Sequence, residues 1–431
     1  MQFEAKAFGS LFAIPQKNGL TRPKKVRGSG LPMVNMGELF AFDRIKDIKM
    51  DLVPVSESEQ TFFLEYGDLL FARQSLVREG AGKCSIFLGV PRNTVFESHI
   101  IRCRLDRAIS NPFYYYYFFR SPIGRLAMDT IIEQGAGASG IRGSDLLKLS
   151  VPNPPLAVQN QIVDLLASID EIISLNDESN ETLESIAQAL FKSWFIDFDP
   201  VKAKMADLQP EAMDEATAAL FPAEFEESEI GLIPKGWQVK LVGEIFDLNP
   251  SYRLTKGSQA PYLDMANVPV SGFRAQQVIN RAFGSGTRFT NGDTLLARIT
   301  PCLENGKTAY VDFLRENQIG WGSTEFIVMR PRQSLPFEFG YLLARHAPFR
   351  TYAIQRMSGT SGRQRVSADA IAGYQLVIPP DPIAHAFAES VGNLFKLIKS
   401  QDEQSKNLAQ IRDALLPKLM SGQFRIPVGD D

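Results

Sequence analysis

The stretch VQNQIVDLLASIDEIISLNDESNETLESIAQALFKSW, residues 158–194, carries apolar side chains at alternating spacings of four and three residues. Such a heptad pattern is typical of a helix that packs along another helix. The same pattern returns 225 residues later in IAHAFAESVGNLFKLIKSQDEQSKNLAQIRDALLPKL, residues 383–419. Two polar residues interrupt both patterns at the same place, Asn176 and Ser179 in the first and Gln401 and Gln404 in the second. We therefore predict two matched long helices that pair with each other.

The repeat extends into the segments that precede the two helices. GDLLFAR at residues 67–73 matches GDTLLAR at residues 292–298, again 225 residues apart, and Pro154-Pro155 matches Pro379-Pro380 at the same offset. In each copy the Gly-Asp pair predicts a turn that leads into an apolar strand. The chain is therefore interpreted as a tandem duplication of one domain plus one long helix.

The predicted fold class is α+β, or mixed α/β, with two tandem domains, two long antiparallel coiled-coil helices and a pseudo-twofold repeat. A length of 431 residues accommodates more than one domain. The predicted segments are domain 1 at 1–155, long helix 1 at 156–196, an acidic connector at 197–235, domain 2 at 236–380, long helix 2 at 381–422 and a tail at 423–431.

Composition and cysteine use favour a cytoplasmic protein without a membrane segment. The chain is 44% hydrophobic and 22% charged, and no apolar run approaches the roughly 20 residues that span a bilayer. The first residues, MQFEAKAFGS, lack the architecture of a signal peptide. The 3 cysteines form neither a disulfide framework nor a metal-ligand spacing.

Charge is segregated along the chain although its net value is only −3. Residues 1–155 hold 20 basic and 15 acidic side chains, residues 156–235 hold 4 and 17, and residues 236–380 hold 16 and 10. Two basic domains separated by an acidic segment suggest a polyanionic partner. The alternative is that an excess of this size is ordinary scatter.

Basic side chains in matching loops are the candidate DNA-binding residues. Lysine and arginine in such loops can hold phosphates, and arginine can also read guanine in the major groove. The alternative for each one is an ordinary surface charge. The candidates are Arg22, Lys24, Lys25, Arg27, Arg73, Lys83 and Arg142 in the first copy, and Arg253, Lys256, Arg298, Lys307, Arg363 and Arg365 in the second.

No motif predicts catalysis, a cofactor or a metal in this chain. Asn153-Pro154-Pro155-Leu156 resembles the Asn-Pro-Pro-aromatic motif of amino-methyltransferases, but leucine replaces the stacking aromatic residue. We interpret it as the junction between domain and helix. The run Tyr114 to Tyr117 could stack on bases. A role in the core is favoured, because the second copy keeps bulk there but not aromaticity.

Several strings of the chain resemble the DNA-specificity (S) subunit of Type I restriction-modification enzymes. They are ALFKSWFIDFDPV at residues 189–201, IPKGW at 233–237, LLPKLMSG at 415–422 and GDTLLAR at 292–298. The order of two diverged domains, each followed by a long heptad helix, is also similar to that family, so the resemblance covers nearly the whole chain.

The resemblance implies a non-catalytic subunit whose two target-recognition domains each read one half of a bipartite double-stranded DNA sequence. It implies that the helices space the half-sites and dock two modification (methyltransferase) subunits, which restriction (endonuclease/translocase) subunits join. S-adenosylmethionine for methylation of adenine N6, and ATP and Mg for cleavage, would then belong to those partners. The alternatives are a tandem scaffold that binds protein without DNA specificity and, less favoured, a stand-alone methyltransferase.

Overall fold

The computed structural model describes residues 3–135, 137–332, 335–360, 362–424 and 426, and the chain divides into two compact units. The first unit comprises the residues up to Ser174 together with those from Gln404 onward, and the second comprises Leu175–Glu403. Each long helix therefore contributes one part to each unit. Most of the tail predicted at 423–431 lies outside the described residues.

The first unit consists of short strands, short helices and parts of both long helices. Its strands are β1 Ala5–Ala7, β2 Phe12–Asn18, β3 Leu31–Val34, β4 Arg44–Ile45, β5 Asp51–Val53, β6 Leu69–Ala72, β7 Gln74–Ser75, β8 Cys84–Phe87, β9 Val95–Phe96, β10 Ile100–Leu105, β11 Glu133–Gln134, β12 Ser139–Gly140 and β13 Ser150–Pro152. Its short helices are α1 Met36–Ala41, α2 Pro112–Arg120, α3 Pro122–Asp129 and α4 Gly143–Lys148, and the long helix α5 Leu156–Phe195 follows.

The first unit is built on a five-stranded sheet of order β2-β10-β6-β8-β4. Its pairs are antiparallel except for β4 with β8. A second sheet has the strand order β5-β3-β9, and β11-β12-β7 form a small three-stranded sheet. The helix α2 packs on one face of the large sheet, because Tyr114 to Tyr117 are buried with Phe71 and Ile101 in one apolar cluster. The tyrosine run is therefore core, as the sequence favoured.

The second unit repeats this arrangement after a folded connector. Its helices are α6 Asp199–Met205, α7 Glu215–Leu220, α8 Val242–Ile245, α9 Phe337–Arg345, α10 Ala347–Gln355, α11 Ala368–Ala372 and the long α12 Asp381–Met420. Its strands are β14 Phe225–Ser228, β15 Gly231–Pro234, β16 Gln238–Leu241, β17 Phe246–Leu248, β18 Gln259–Leu263, β19 Ile279–Ala282, β20 Thr287–Phe289, β21 Thr294–Ala297, β22 Thr308–Tyr310, β23 Gly320–Gly322, β24 Phe326–Pro331 and β25 Gln375–Ile378.

The two units share one strand order. The sheet β17-β24-β21-β22 of the second unit corresponds to β2-β10-β6-β8 of the first, and β19-β18-β23-β20 takes the place of the second sheet. In both units a strand that pairs with the first strand of the domain leads directly into a long helix: β13 pairs with β1, and β25 pairs with β16. The mixed α+β fold and the internal repeat predicted from the sequence are confirmed.

The long helices pair antiparallel within each unit. In the second unit the Nδ2 atom of Asn176 lies 3.4 Å from the carbonyl oxygen of Gln401, and the ring of Trp194 lies 5.5 Å from that of Phe387. In the first unit Asp170 pairs with Arg412 at 2.8 Å. Partners thus descend along α12 as α5 advances, which confirms the predicted antiparallel pairing.

The buried face of each long helix is not the predicted heptad stripe throughout. Ile172 and Ile186 of α5 are 41% and 43% exposed, and their counterparts Leu397 and Ile411 of α12 are 46% and 50% exposed. The prediction that these four side chains pack between the helices was wrong. Each helix also packs against a domain, and this second contact turns the buried face towards neighbouring positions such as Ala187, which is fully buried.

The second long helix contains Pro417 and ends before Gly422, which has a φ of +72°. The acidic connector is folded, and it buries Val201 and Phe221 in the same apolar cluster as Trp237. No described helix combines the length and the apolar composition that crossing a bilayer requires.

Candidate nucleic-acid interface

The Gly-Asp motif of each copy forms a buried turn rather than a surface site. The carboxylate of Asp68 is 1% exposed, accepts the backbone N–H of Glu65 at 2.8 Å and binds Nε and Nη2 of Arg104, both at 2.8 Å. In the second copy Asp293 is fully buried and binds Arg330 at 2.8 Å. Each buried carboxylate is therefore neutralised by an arginine on the neighbouring strand.

The candidates Arg73 and Arg298 occupy equivalent positions one residue beyond β6 and β21. The backbone N–H of Arg73 donates to the carbonyl of His99 at 2.8 Å, and that of Arg298 donates to the carbonyl of Glu325 at 3.0 Å. Both side chains are partly exposed. Among the described residues neither guanidinium takes part in an ion pair, although the charge of Arg298 acts on the nearby carboxylate of Glu325.

The first basic loop divides into paired and unpaired side chains. Arg22 binds Glu59 at 2.6 Å, and Arg27 binds Asp51 at 2.7 Å. Hydrogen bonds from the Arg22 guanidinium lower the pKa of Glu59 to about 2. Lys24 and Lys25 lie in an exposed 3-10 turn between these two arginines. In the second copy Arg253 and Lys256 are exposed in the loop before β18.

Lys83 and Lys307 make the same contact in the two units. The Nζ atom of Lys83 donates to the carbonyl of Phe40 in α1 at 2.7 Å, and that of Lys307 donates to the carbonyl of Met265 at 2.7 Å. In both units the acceptor belongs to a short helical segment. That segment is α1, after β3, in the first unit and the 3-10 turn Met265–Asn267, after β18, in the second. These lysines therefore hold that segment, whatever else they contact.

The last candidates lie beside the strand ends that carry Arg73 and Arg298. Arg142 is 68% exposed in its side chain and pairs with Glu133 at 2.7 Å. Arg365 pairs with Glu325 at 2.7 Å, and hydrogen bonds from Arg365 lower the pKa of Glu325. Arg363 is exposed in the adjoining turn. Arg298 and Arg365 of the second unit thus both lie next to Glu325.

In the first unit a cavity of about 390 Å³ lies beside the end of β6. Met36, Gln74 and His99 line it. Because Gln74 follows Arg73 in the chain, the end of β6 borders this cavity. The Nη1 atom of Arg27 donates at 2.9 Å to the Oδ1 atom of Asn35, the residue before Met36.

The sequence missed two features of these surfaces. Leu76 lines the same cavity and is 88% exposed, more than any other large apolar side chain described in the first unit. In the second unit the guanidinium of exposed Arg281 lies 4.8 Å from the ring centroid of Tyr262 and 5.8 Å from that of Trp321. The sequence carried no signal for this contact, because Tyr262 and Trp321 lie on two other strands, β18 and β23, of the same sheet.

Comparisons with known proteins show which proteins this chain is similar to. Residues 55–185 match the family model described as Type I restriction modification DNA specificity domain. The HindI specificity subunit of Haemophilus influenzae is 25% identical over 320 residues, which cover 64% of this chain and 69% of that protein. The MjaIX specificity subunit of Methanocaldococcus jannaschii is 28% identical over 331 residues, 73% of this chain and 69% of that protein.

This chain is similar to the specificity subunits of Type I restriction-modification enzymes, and its residues 55–185 match their DNA specificity domain. The fold is similar as well, since the crystal structure of an S subunit from M. genitalium superposes with a TM-score of 0.54 at 15% identity and covers 97% of this chain and 96% of that one. The resemblance stated from the sequence strings is thereby confirmed. Among the described residues of this chain, no three His, Cys, Asp or Glu side chains group as ligands of a metal ion.

Proposed function

We propose that this chain selects the DNA sequence on which a Type I restriction-modification complex acts, and that each of its two domains reads one half of a bipartite target. The observation that carries the proposal is the repetition of one strand order with different loop side chains. A shared scaffold gives both domains the same position for Arg73 and Arg298. The side chains near these two arginines differ, for example Leu76 in the first unit and Glu325 in the second, and this difference gives the two domains different sequence specificity.

The candidate residues divide into two groups by their present partners. Side chains without an ion pair within the described residues are suited to bind phosphates or bases directly: Lys24, Lys25, Arg73, Arg253, Lys256, Arg298 and Arg363. The others already bind a carboxylate or carbonyl and must exchange or share it when they contact DNA: Arg22, Arg27, Lys83, Arg142, Lys307 and Arg365.

We further propose that the long helices set the distance between the half-sites and dock the modification subunits. The apolar side chains that remain exposed on the helices support the docking role. We name these side chains the helix stripe: Ile172, Leu175, Ile186, Leu397 and Ile411, each at least 41% exposed. Apolar residues repeated along a helix and left open to solvent are typical of surfaces that another protein covers.

Methyl transfer with S-adenosylmethionine and ATP-driven cleavage then belong to the modification and restriction subunits, and this chain acts without catalysis of its own. The experiment that tests the proposal is a map of methylated bases in cellular DNA with and without the gene, in cells that keep the modification subunit. Loss of methylation at one split sequence is expected, and its return requires the intact gene. An unchanged map, or methyl transfer by the purified chain alone, would contradict the proposal.

A protein-binding scaffold makes a different prediction for the purified chain. A DNA reader binds a duplex that contains the mapped sequence more tightly than a scrambled duplex, and its affinity falls steeply as salt rises. A scaffold shows neither behaviour. Competition binding at two salt concentrations therefore separates these two classes of protein.

A further inference from the structure

The first unit contains a second basic site, which none of the candidate loops includes. A cavity of about 630 Å³ is bordered by β2, β10 and the segment before β6, and Lys17, Arg102 and Arg104 line it. Ile101 and Cys103 of β10 pack in the cluster that contains α2. Because side chains alternate along a strand, Arg102 lies on the opposite face of the sheet.

The three cations of this cavity differ in how far their charge is compensated. Arg104 binds Asp68, Glu65 and the carbonyl of Phe63, so its charge is balanced within the protein. Glu65 also lines the cavity, but its carboxylate already forms an ion pair with Arg104. The positive charge that remains belongs to the other two side chains.

Arg102 and Lys17 lie opposite each other on paired strands, and Arg102 lacks a hydrogen-bond acceptor for one of its nitrogen atoms within the described part of the chain. Arg102 is 2% exposed, and its Nη1 atom donates to the carbonyl of Thr61 at 3.3 Å. Its Nε atom is buried and has no hydrogen-bond acceptor within the described part of the chain. Lys17 pairs in register with Arg102 and donates to the hydroxyl of Thr61 at 2.6 Å. Neither cation forms an ion pair among the described residues, although the charges of Asp68 and Glu65 act on Arg102 from a distance. Lys17 is only partly buried and its Nζ atom lies 3.6 Å from the ring centroid of Phe62, so the cost of a buried charge falls mainly on Arg102.

The second unit shows that the fold does not require these cations. Because Arg330 corresponds to Arg104, the counterpart of Arg102 is Val328, which is fully buried in an apolar cluster. The counterpart of Lys17 is Asn249, whose Oδ1 atom accepts the backbone N–H of Val328 at 3.0 Å. The equivalent strands of the second unit thus pair without charged side chains at these two positions. Pairing of the strands therefore does not explain Lys17 and Arg102, and we look to a bound anion as the reason for their charges.

We propose that this cavity binds a phosphate group between Lys17 and Arg102. Burial and the neighbouring charge of Arg102 lower the pKa of Lys17. A bound anion between the two cations offsets the repulsion from Arg102. A phosphate has enough acceptor oxygens to satisfy Arg102 and Lys17 together. Its source is either a backbone phosphate of duplex DNA or a free phosphate, including that of a nucleotide. The first source rests on the proposed function, and the second does not.

The test uses the purified full chain with inorganic phosphate as the probe, at ionic strength matched with chloride. Arg102→Val copies the second unit, Lys17→Gln removes the other cation, and Lys148→Met removes an exposed charge elsewhere in the same unit. Phosphate should raise the melting temperature of the wild type and of Lys148→Met. That rise should be lost in Lys17→Gln and Arg102→Val.

A second arm with duplex DNA distinguishes the two sources of phosphate. If the cavity takes a backbone phosphate, Lys17→Gln lowers the slope of log affinity against log salt by about 1 relative to Lys148→Met. If it takes a free phosphate, that slope is unchanged while the response to inorganic phosphate is lost. The proposal is overturned if both variants match Lys148→Met in phosphate response and in slope. Failure of the wild type to prefer its target duplex would instead count against the proposed function.

Discussion

At the scale of single residues, the equivalence of Arg73 and Arg298 gives a paired prediction. Arg73→Ala should weaken recognition of one half-site and Arg298→Ala that of the other, because the two residues occupy one position in different units. Loss of a base contact should cost about 1–3 kcal/mol and relax specificity, whereas loss of a phosphate contact should lower affinity evenly across sequences.

The measurement is competition binding against duplexes that carry substitutions in one half-site at a time. Two variants serve as matched controls, since each removes an exposed arginine from a loop: Arg92→Ala for Arg73 in the first unit and Arg315→Ala for Arg298 in the second. Equal effects of Arg73→Ala on both half-sites, or none beyond that of Arg92→Ala, would remove this residue from the interface.

The ion pair between Arg22 and Glu59 gives a second prediction at this scale. Glu59→Gln frees the Arg22 guanidinium, so DNA affinity should rise about two- to fivefold if Arg22 contacts a phosphate, in line with the small energy of a surface ion pair. Glu57→Gln changes the net charge equally within the same 3-10 segment and is the matched control.

The pH of this comparison follows from the lowered pKa of Glu59. A carboxyl group with a pKa of about 2 in the folded chain stays ionised and paired at neutral pH. The stability that the pair contributes is present above the unfolded pKa and is lost as pH falls from about 4.5 towards 2. Binding measured at pH 7 to 8 therefore reports the intact pair, and equal gains in both variants would show only a general charge effect.

The sequence located the buried Gly-Asp turns but could not identify their partners. The next basic residue in the chain after Asp68 is Arg73, but the carboxylate of Asp68 binds Arg104, 36 residues away, because β10 lies beside β6 in the sheet. Strand order decides such a pair, and strand order depends on contacts that are distant in sequence.

At the scale of elements, the periodicity of the long helices predicted their existence, repeat and direction, but not the whole of their buried face. The heptad pattern shows which positions of a helix are apolar but not what each one contacts. Each long helix packs against a domain as well as against the other helix. Glu184, for instance, is 7% exposed because it contacts Tyr341 of the second domain. The sequence alone could not separate these contacts from those that a partner subunit supplies.

The helix stripe leads to a prediction about assembly. Ile186→Asp and Leu397→Asp should each weaken binding of the modification subunit by about tenfold or more, because burying one such side chain contributes about 1.5–3 kcal/mol. Co-purification at graded concentrations measures the loss. Leu232→Asp, at a residue that is 65% exposed in β15, is the control. Retention of full assembly by both stripe variants would contradict docking on these helices.

Helix length gives the second prediction at this scale. Removal of seven residues from each helix keeps the heptad register and shortens the pair by about 10 Å, comparable to roughly three base pairs. Residues 171–177 and 404–410 are suitable, since they spare Asp170, which binds Arg412, and Glu184. The deletion removes Ile172 and Leu175 of the helix stripe, so assembly of the complex is checked by co-purification before mapping. The gap between the half-sites should shorten while both half-sites stay the same. Methylation mapping of the double deletion gives the answer, and an unchanged gap in an active complex would refute the spacing role.

At the scale of the whole molecule, the repeat makes each domain a replaceable part. The domain of the second unit begins and ends in one strand pair, β16 with β25, and β25 leads directly into α12. An exchange at these strands retains the pairing that leads into the long helix. The apolar contacts of Tyr341 and Phe395 must be retained as well, because they join the domain to α12.

The final prediction is that replacement of residues 236–380 by the corresponding domain of another family member changes one half-site and leaves the other half-site and the gap unchanged. The physical reason is that the first domain forms its own sheets and apolar clusters from residues of the first unit. The measurement is a methylation map of cells that carry the hybrid chain with the same modification subunit. A reciprocal hybrid with a replaced first domain is the matched control and should change the opposite half-site. A hybrid that alters both halves would show that the two domains read DNA jointly rather than one half each.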